Sequence, residues 1–268
     1  QMAFDNSGKM TAWTYAGKQI LHTNANGTIA SGAAPDFNSC RNIDNDKEST
    51  GTANVGCVNS SSTKIIKALT KDDASGCATM TVQGNAKNCQ YTIRYTFYPD
   101  ATVDMKTTFS PSGATRRLGL GLQLASGFEN VEFYARGPRS NYSDRKTGSY
   151  LGRFTTTVDD MVEEQIHPQT YGDHEDLREL LLSNKAAGLT LTVQVDGKAS
   201  FSLSHFDESK WIEEGSDLWK IPTHCVSPRC LPISTIGSAD WATTVAKATW
   251  SCRNMSVPPQ ATILTLCD

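Results

Sequence analysis

The residues of this chain that could carry out acid–base chemistry are clustered acidic side chains. The clusters are Asp159 with Asp160, Glu163 with Glu164, the run 173–179 and the run 213–217. Two carboxyl groups about 5 to 5.5 Å apart act as acid and nucleophile in retaining glycoside hydrolases. A sequence does not give the distance between two carboxyl groups. The ordinary interpretation of such acidic runs is that they are solvated loop residues. No catalytic residue is assigned.

Histidines are the second candidates, and they lie scattered at 22, 167, 174, 205 and 224. None has the spacing of metal ligands, so we expect neither a metal nor a cofactor. The chain also has no Gly-x-Ser-x-Gly, no His-Glu-x-x-His and no Gly-rich phosphate loop. His205 follows Phe201 and Leu203 with a period of two, which favours a core histidine. His167 precedes Pro168 in a loop, where contact with a ligand is one interpretation.

Aromatic rings offer another route to sugar recognition, because the apolar face of a pyranose packs on a ring while polar groups bind its hydroxyls. Four of the five tryptophans lie between residues 211 and 250. Trp250 is in strand phase beside Cys252 and is interpreted as a core residue. Trp241 follows the loop-like segment GSAD at 237–240, where a buried and an exposed ring are both open alternatives.

The elements that must position these residues are strands, because the apolar pattern has a period of two. RLGLGLQL at 117–124 and GLTLTVQV at 188–195 each place four apolar residues on one face. Asp196-Gly197 predicts a hairpin to 199–206, and Pro99-Asp100 predicts one within 91–109. Further strands are predicted at 63–70, 78–85, 130–135 and 262–267, and the best helical candidate is 207–215. The pattern predicts an all-β, large antiparallel two-sheet sandwich with one domain over residues 1–268.

Composition excludes some classes of partner. The net charge is −3 and 20% of residues are charged, so there is no basis for nucleic-acid or anionic-membrane binding. No apolar run has the length of a membrane helix. The chain begins at Gln1, with neither an initiator Met nor a signal peptide, and we expect a processed mature chain.

The eight cysteines favour a secreted, disulfide-bonded chain. Metal binding is the competing interpretation, but no Cys-x-x-Cys pair is present. Short loop closures suggest four disulfides: Cys40 with Cys57, Cys77 with Cys89, Cys225 with Cys230, and Cys252 with Cys267. The Asn-x-Ser/Thr sequons at Asn26, Asn59, Asn141 and Asn254 agree with secretion.

Several stretches together resemble one family, the C-terminal or small-chain domain of glycoside hydrolase family 2 β-galactosidases. The segment GPRSNYSDR at 137–145 is similar to the family pattern of Gly-Pro, Asn-Tyr and Asp-Arg. It is followed in order by GRF at 152–154, Asp160-Met161, Pro168 to Gly172 and REL at 178–180. Upstream, Arg41 and the Asp-Asn-Asp run resemble the family, as do FSLSHF and IGSADW downstream.

The resemblance implies a supersandwich similar to that of aldose mutarotases, in a protein whose catalytic glutamates belong to a separate barrel. It implies that the loop ending in Trp241 lends the substrate site an aromatic platform for a galactose-containing glycan. The substrate-binding residues carried over are Trp241, Asp240, Arg41, Asp44, Asn45 and Asp46, to which His167 is added. If Asn141 is buried in the family turn it will carry no glycan, which leaves Asn26, Asn59 and Asn254 as acceptors.

Some features depart from the family pattern. The loop 236–241 is one residue shorter than usual and lacks a paired Gly-Gly, and SDL at 216–218 stands where His-x-His is common. The eight cysteines are also untypical. Two alternatives therefore stay open: a stand-alone secreted glycan-binding or structural module, and an aldose mutarotase using His167, His174 or His205 with a glutamate.

Overall fold

The chain folds almost entirely into β-strands, as the period-two pattern predicts. The computed structural model describes residues 1–39, 41, 61–87, 89–112, 117–163, 170–195 and 199–205, with 233–238, 248–250 and 261–266 described as strand backbone. The strands are β1 Met2–Phe4, β2 Met10–Tyr15, β3 Lys18–Gln19, β4 Asp36–Asn38, β5 Ser62–Lys71, β6 Ala78–Ala86, β7 Cys89–Phe97, β8 Val103–Pro111, β9 Leu118–Gln123, β10 Asn130–Gly137, β11 Tyr150–Thr157, β12 Glu179–Asn184, β13 Leu189–Gln194, β14 Ser200–Ser202, β15 Ile233–Ser238, β16 Ala248–Trp250 and β17 Ala261–Leu266.

These strands form three sheets. A ten-stranded sheet has the order β11-β10-β12-β13-β17-β8-β7-β6-β5, with β16 also paired to β8. A four-stranded sheet has the order β14-β15-β9-β4, and β1, β2 and β3 form a small third sheet. The predicted strands at 63–70, 78–85, 130–135 and 262–267 are confirmed as β5, β6, β10 and β17, and the hairpin at Pro99-Asp100 is confirmed as β7 paired with β8.

The two larger sheets pack face to face through aromatic side chains. Phe37 on β4 stacks on Tyr91 of β7, with ring centroids 5.6 Å apart and planes inclined by 20°. Some distance along the sandwich, Phe201 on β14 meets Phe133 on β10 at 5.3 Å. Both contacts join the four-stranded sheet to the ten-stranded one, which confirms the predicted all-β two-sheet sandwich.

Strand β9 lies in the middle of this core. Leu118, Leu120 and Leu122 are each exposed by 2% or less, and Leu124 just beyond the strand is fully buried. β9 is hydrogen-bonded to β4 on one side and to β15 on the other. The alternating leucines face the ten-stranded layer because one face of a strand collects every second residue.

The last strand departs from the antiparallel prediction. β17 runs parallel to both of its neighbours: Thr190–Thr192 of β13 pair with Ala261–Ile263, and Val103–Met105 of β8 pair with Leu264–Leu266. β17 therefore joins the strands β10–β13 to the strands β5–β8, so that the ten-stranded sheet is continuous. Every other strand pairing in the described residues is antiparallel.

The hairpin predicted at Asp196-Gly197 is wrong. β13 pairs with β12 and β17 in the ten-stranded sheet, whereas β14 pairs with β15 in the four-stranded sheet. The chain crosses from one layer of the sandwich to the other at this point. Strands β13 and β14 each bury one face, so each alternates apolar and polar residues. The same alternation would occur if the two strands were paired in a hairpin.

The disulfide predicted between Cys77 and Cys89 is also wrong, because both thiols are free. Cys77 precedes β6 at one end of the β6–β7 hairpin, while Cys89 pairs with Ala86 at the other end. A nine-residue strand spans about 27 Å, and a disulfide requires Cα atoms within about 7 Å. Burial raises the pKa of the Cys89 thiol to about 11, so this thiol is poorly reactive. The other three predicted pairs lie outside the described residues.

Helical structure within the described ranges is limited to one 3-10 turn, Asp159–Met161, at the place of the family's aspartate-methionine turn. The helix predicted at 207–215 lies outside the described residues. Among the residues that the structure describes, no helix is long and apolar enough to span a membrane.

Candidate functional site

The strands β4 and β15, which precede two of the predicted site segments, end beside each other at one end of the four-stranded sheet. β4 and β15 flank β9 and run in the same direction, since both are antiparallel to it. Asn38 on β4 and Gly237 on β15 both pair with Gly119 of β9. Two strand spacings separate them, which is about 10 Å. From these positions the chain continues to Arg41 on one side and toward Asp240 and Trp241 on the other.

Arg41 packs against residues 137–145, the segment with the family's Gly-Pro and Asn-Tyr pattern, which we call the signature loop. Its guanidinium carbon lies 4.6 Å from the centroid of the Tyr142 ring, and the guanidinium carbon of Arg145 lies 5.5 Å from the same centroid. The Tyr142 side chain is 7% exposed, and its hydroxyl donates to the carbonyl oxygen of Thr170 at 3.4 Å. The electron-rich ring face attracts both cations, so Tyr142 links the segment after β4 to the loop after β10.

A buried carboxylate stabilises β4 two residues before that exit. Asp36 Oδ1 accepts hydrogen bonds from the Tyr91 hydroxyl at 2.8 Å and from the Ser61 hydroxyl at 2.7 Å, and from the backbone N–H of Phe37 at 2.7 Å. Burial, and then the nearby Asp36 charge, raise the pKa of Tyr91, so the phenol stays protonated and donates. These contacts fix the start of β4 against β7 of the other sheet.

The signature loop itself is a turn stabilised by a buried amide. Asn141 is fully buried; its Nδ2 donates to the carbonyl oxygens of Arg136 and Arg139, both at 3.1 Å, and its Oδ1 accepts from the N–H of Glu175 at 3.0 Å. The peptide bond before Pro138 is cis. Both hydrogens of the amide nitrogen and the amide oxygen are thus bonded inside the protein, as expected for a structural turn.

Ion pairs fasten the same loop to the segment that precedes β12. Arg136 pairs with Asp176 and also donates to the carbonyl oxygen of Ser149 at 3.0 Å, and Lys146 pairs with Glu175 at 2.9 Å. Arg136 is thus a structural partner that holds the loop in place. The acidic run 173–179 therefore contributes Glu175 and Asp176 to loop architecture instead of to a pair of free carboxylates.

His174 is a core residue and not a ligand-facing one. It is 3% exposed and lies 4.9 Å from the Phe133 ring and 5.1 Å from the Phe201 ring, centroid to centroid. Its Nδ1 donates to the carbonyl oxygen of Gly172 at 2.9 Å. Burial lowers the pKa of this imidazole, more than the carbonyl contacts raise it. His174 is therefore neutral at pH 7.

His205 is not the core residue that its phase predicts, because β14 ends at Ser202. Its Nε2 lies 3.2 Å from Glu129 Oε2 and 3.1 Å from Asp159 Oδ1, at the rim of the sandwich. Burial raises the pKa of Glu129; Asp159 adds to the rise and His205 opposes it. Of the three histidines named for the mutarotase alternative, one is thus buried, one binds two carboxylates, and His167 lies outside the described residues.

The described residues therefore include one of the predicted substrate-binding positions, Arg41. The others, Asp44, Asn45, Asp46, His167, Asp240 and Trp241, lie outside them. Tyr142, Asp36 and Tyr91 were not predicted as part of this region, although Tyr142 belongs to the quoted Asn-Tyr motif. No group of three His, Cys, Asp or Glu side chains that could hold a metal ion occurs within the described part of the chain.

Comparisons with known proteins show which family this chain resembles. The family model for the beta galactosidase small chain matches residues 1–224. The β-galactosidase of Staphylococcus xylosus is 35% identical over 131 residues, which cover 49% of this chain and 12% of that protein. The Halalkalibacterium halodurans β-galactosidase is 32% identical over 92 residues (32% and 9%), and that of Vibrio cholerae is 31% identical over 119 residues (43% and 11%).

The matched region thus spans only about a tenth of the length of these curated relatives. A solved structure described as a galactose mutarotase-like protein from Lactobacillus casei ATCC 334 aligns over 92% of this chain and 91% of that chain, with a TM-score of 0.40 and 12% identity. The family match covers 224 of 268 residues. This chain belongs to the β-galactosidase small-chain family.

Proposed function

We propose that this chain is the small-chain module of a β-galactosidase, that it binds a galactose-containing glycan, and that it completes a substrate site whose catalytic acid and nucleophile belong to a barrel in a larger chain or domain. In this proposal Trp241 supplies an aromatic platform, and Arg41, Asp44, Asn45, Asp46, Asp240 and His167 supply polar contacts. The relatives that carry the name β-galactosidase support the reaction class.

The observation that carries the proposal is the shared exit of two segments beside Gly119. Trp241 follows Ser238, the last residue of β15, by three positions in the sequence. Arg41 is three residues beyond the end of β4 on the other side of β9. Segments that are 200 residues apart in sequence therefore start from neighbouring points, which is what a composite binding site requires.

Three carboxylates of the described part are engaged by donors of the protein itself. The carboxylates of Glu175 and Asp176, in the segment before β12, are neutralised by Lys146 and Arg136. Asp36 is buried, and its Oδ1 accepts hydrogen bonds from three donors. A glycosidase needs one carboxyl group poised as an acid and a second one facing the sugar, and these three carboxylates serve the fold instead.

The experiment measures galactoside affinity and hydrolysis separately. The purified chain is titrated with a galactoside by NMR, as wild type and as Trp241→Ala, and is incubated with a chromogenic galactoside. We expect no hydrolysis by the chain alone, and a loss of about 1 to 3 kcal/mol in binding free energy for Trp241→Ala, the scale of a lost aromatic contact.

Leu69→Ala is the matched control, because Leu69 is 62% exposed on β5, the edge strand of the ten-stranded sheet, whereas β4 and β15 belong to the four-stranded sheet. Hydrolysis by the isolated chain would contradict the proposal that it lacks the catalytic residues. Equal affinity of the Trp241→Ala and wild-type chains would refute the platform. Binding without any gain in hydrolysis when a catalytic barrel chain is added would favour the stand-alone glycan-binding alternative.

A further inference from the structure

The hairpin between Leu21 and Ala30 presents a sequon in a hydrogen-bonded turn. Asn24 N–H donates to the carbonyl oxygen of Thr28 at 2.8 Å, and Gly27 adopts a φ of +81°. Within this turn Asn26 Oδ1 accepts two hydrogen bonds, from the N–H of Thr28 at 3.1 Å and from the hydroxyl of Thr28 at 2.7 Å. The amide and the hydroxyl of the sequon are therefore already in contact, in the form of an Asx-turn.

This contact has a chemical consequence for the Asn26 amide. Two donors on Oδ1 stabilise negative charge on that oxygen, which favours loss of a proton from Nδ2 as the nitrogen forms a new bond. Asn24 Nδ2 donates to Thr28 Oγ1 at 3.2 Å, which orients the hydroxyl hydrogen toward Asn26. Asn24 to Thr28 are all exposed, and a Cβ added at Gly27 would meet nothing within 4 Å. A bulky group attached to Asn26 thus extends into solvent.

The second sequon in the described residues is its opposite. Asn141 is fully buried, and its Nδ2 already donates twice to backbone carbonyls. A sugar on that nitrogen would replace one of these donors and require space inside the signature turn. The two asparagines share the sequon pattern, but Asn26 is exposed, whereas Asn141 is buried and its amide nitrogen is bonded.

The position of the hairpin leaves the proposed sugar site open. Leu21 pairs with Leu124, and His22 N–H donates to the carbonyl oxygen of Gln123 at 2.9 Å, so the hairpin adjoins the C-terminal end of β9. The exits toward Arg41 and Trp241 adjoin the N-terminal end of β9, near Gly119. The six residues of β9 separate the two ends by about 17 Å.

We propose that Asn26 is an attachment site for an N-linked glycan, and that Asn141 is not, when the chain passes through a secretory pathway. In the reaction Asn26 Nδ2 attacks the anomeric carbon of an oligosaccharide carried on a lipid pyrophosphate. The nitrogen–carbon bond forms, the bond from that carbon to the pyrophosphate oxygen breaks, the lipid pyrophosphate leaves with the electron pair, and Nδ2 loses one proton. The inference is independent of galactoside binding.

The test is site-resolved occupancy in chain secreted by a eukaryotic host. Glycans are removed enzymatically in heavy-oxygen water, and the converted asparagines are identified by peptide mass spectrometry. We expect Asn26 to be occupied in most molecules and Asn141 to be unmodified. Thr28→Val should lower occupancy at Asn26 at least about tenfold, whereas Thr28→Ser should retain it, because the sequon requires the hydroxyl.

Two controls keep the result interpretable. Asn24 lies in the same exposed hairpin outside any sequon and should stay unmodified. Asn26→Asp keeps the accepting oxygen of the turn and removes the acceptor nitrogen, so it should lose the glycan with an unchanged urea midpoint. An unoccupied Asn26 in folded, secreted chain, glycans confined to Asn59 or Asn254, or any glycan at Asn141 would each overturn the proposal.

Discussion

The guanidinium carbon of Arg41 lies 4.6 Å above the centroid of the Tyr142 ring. The two residues are about a hundred positions apart, and each belongs to a different motif of the family pattern. Their contact joins the exit of β4 to the signature loop, so the two motifs form one structural unit beside the end of the four-stranded sheet.

A double-mutant cycle measures this contact. Arg41→Met keeps the apolar stem and removes the charge, and Tyr142→Leu removes the ring. Because Tyr142 is 7% exposed, the pair is largely desolvated, and we expect a coupling free energy of about 1 to 2 kcal/mol from urea unfolding. Arg153 with Tyr134, at 5.1 Å on an exposed face, is the matched pair and should give about 0.5 kcal/mol or less. Equal coupling in both pairs would contradict the assigned role of burial.

The glycine at position 84 leaves room for a ring that bonds to Asp36. A Cβ added at Gly84 would overlap the Tyr91 ring and hydroxyl, so Gly84→Ala must displace the ring that donates to Asp36. We expect a loss of roughly 3 kcal/mol in the free energy of unfolding, from overpacking plus the broken hydrogen bond. Gly148→Ala is the control, since a Cβ there meets nothing within 4 Å, and its cost should stay within about 0.5 kcal/mol. A cost for Gly84→Ala as small as that of the control would refute the packing argument.

The buried, neutral His174 predicts a pH dependence of stability. Burial holds its pKa in the folded state below the ordinary value of 6.5. Below about pH 6.5 the unfolded chain therefore binds a proton that the folded chain does not, so this stabilisation is present above pH 6.5 and is lost as the pH falls toward the lowered folded pKa.

Urea midpoints at about pH 7.5 and about pH 5.5 test this expectation, with His174→Gln as the variant that cannot titrate. The wild-type midpoint should fall more between the two values than that of the variant. A ring nitrogen of His174 that becomes protonated above pH 6.5 in an NMR titration would show that the sign is wrong.

Because β17 pairs with both β13 and β8, we expect the continuity of the ten-stranded sheet to depend on Ala261–Leu266. Ile263 pairs with Thr192 in the interior of the sheet. Ile263→Pro removes a backbone donor there and should cost about 3 kcal/mol or more, while Ile263→Val keeps that donor and should cost less. Hydrogen exchange should accelerate in Thr190–Thr192 and in Val103–Met105. Unchanged protection of both segments in the proline variant would contradict the bridging role.

The sequence by itself determined the fold class and most of the strands. Residues 118–124 and 189–195 alternate apolar and small or polar side chains, and a period of two is compatible only with strands that bury one face. Local turn chemistry was also sufficient at Pro99-Asp100, where both strands of the hairpin belong to the same sheet. The order of the family motifs identified the scaffold for the same reason, since it depends on residue types along the chain.

Only the tertiary structure decided which strands pair and which motifs meet. Asp196-Gly197 has hairpin chemistry, but the chain changes sheets there, and Cys77 and Cys89 are close in sequence but lie at opposite ends of a hairpin. The approach of Arg41 to Tyr142 and of both β4 and β15 to Gly119 follows from strand order, which long-range hydrogen bonding sets and local sequence does not encode. Asn26 is exposed and Asn141 is buried for the same reason: the sequon is a local pattern, and burial is not.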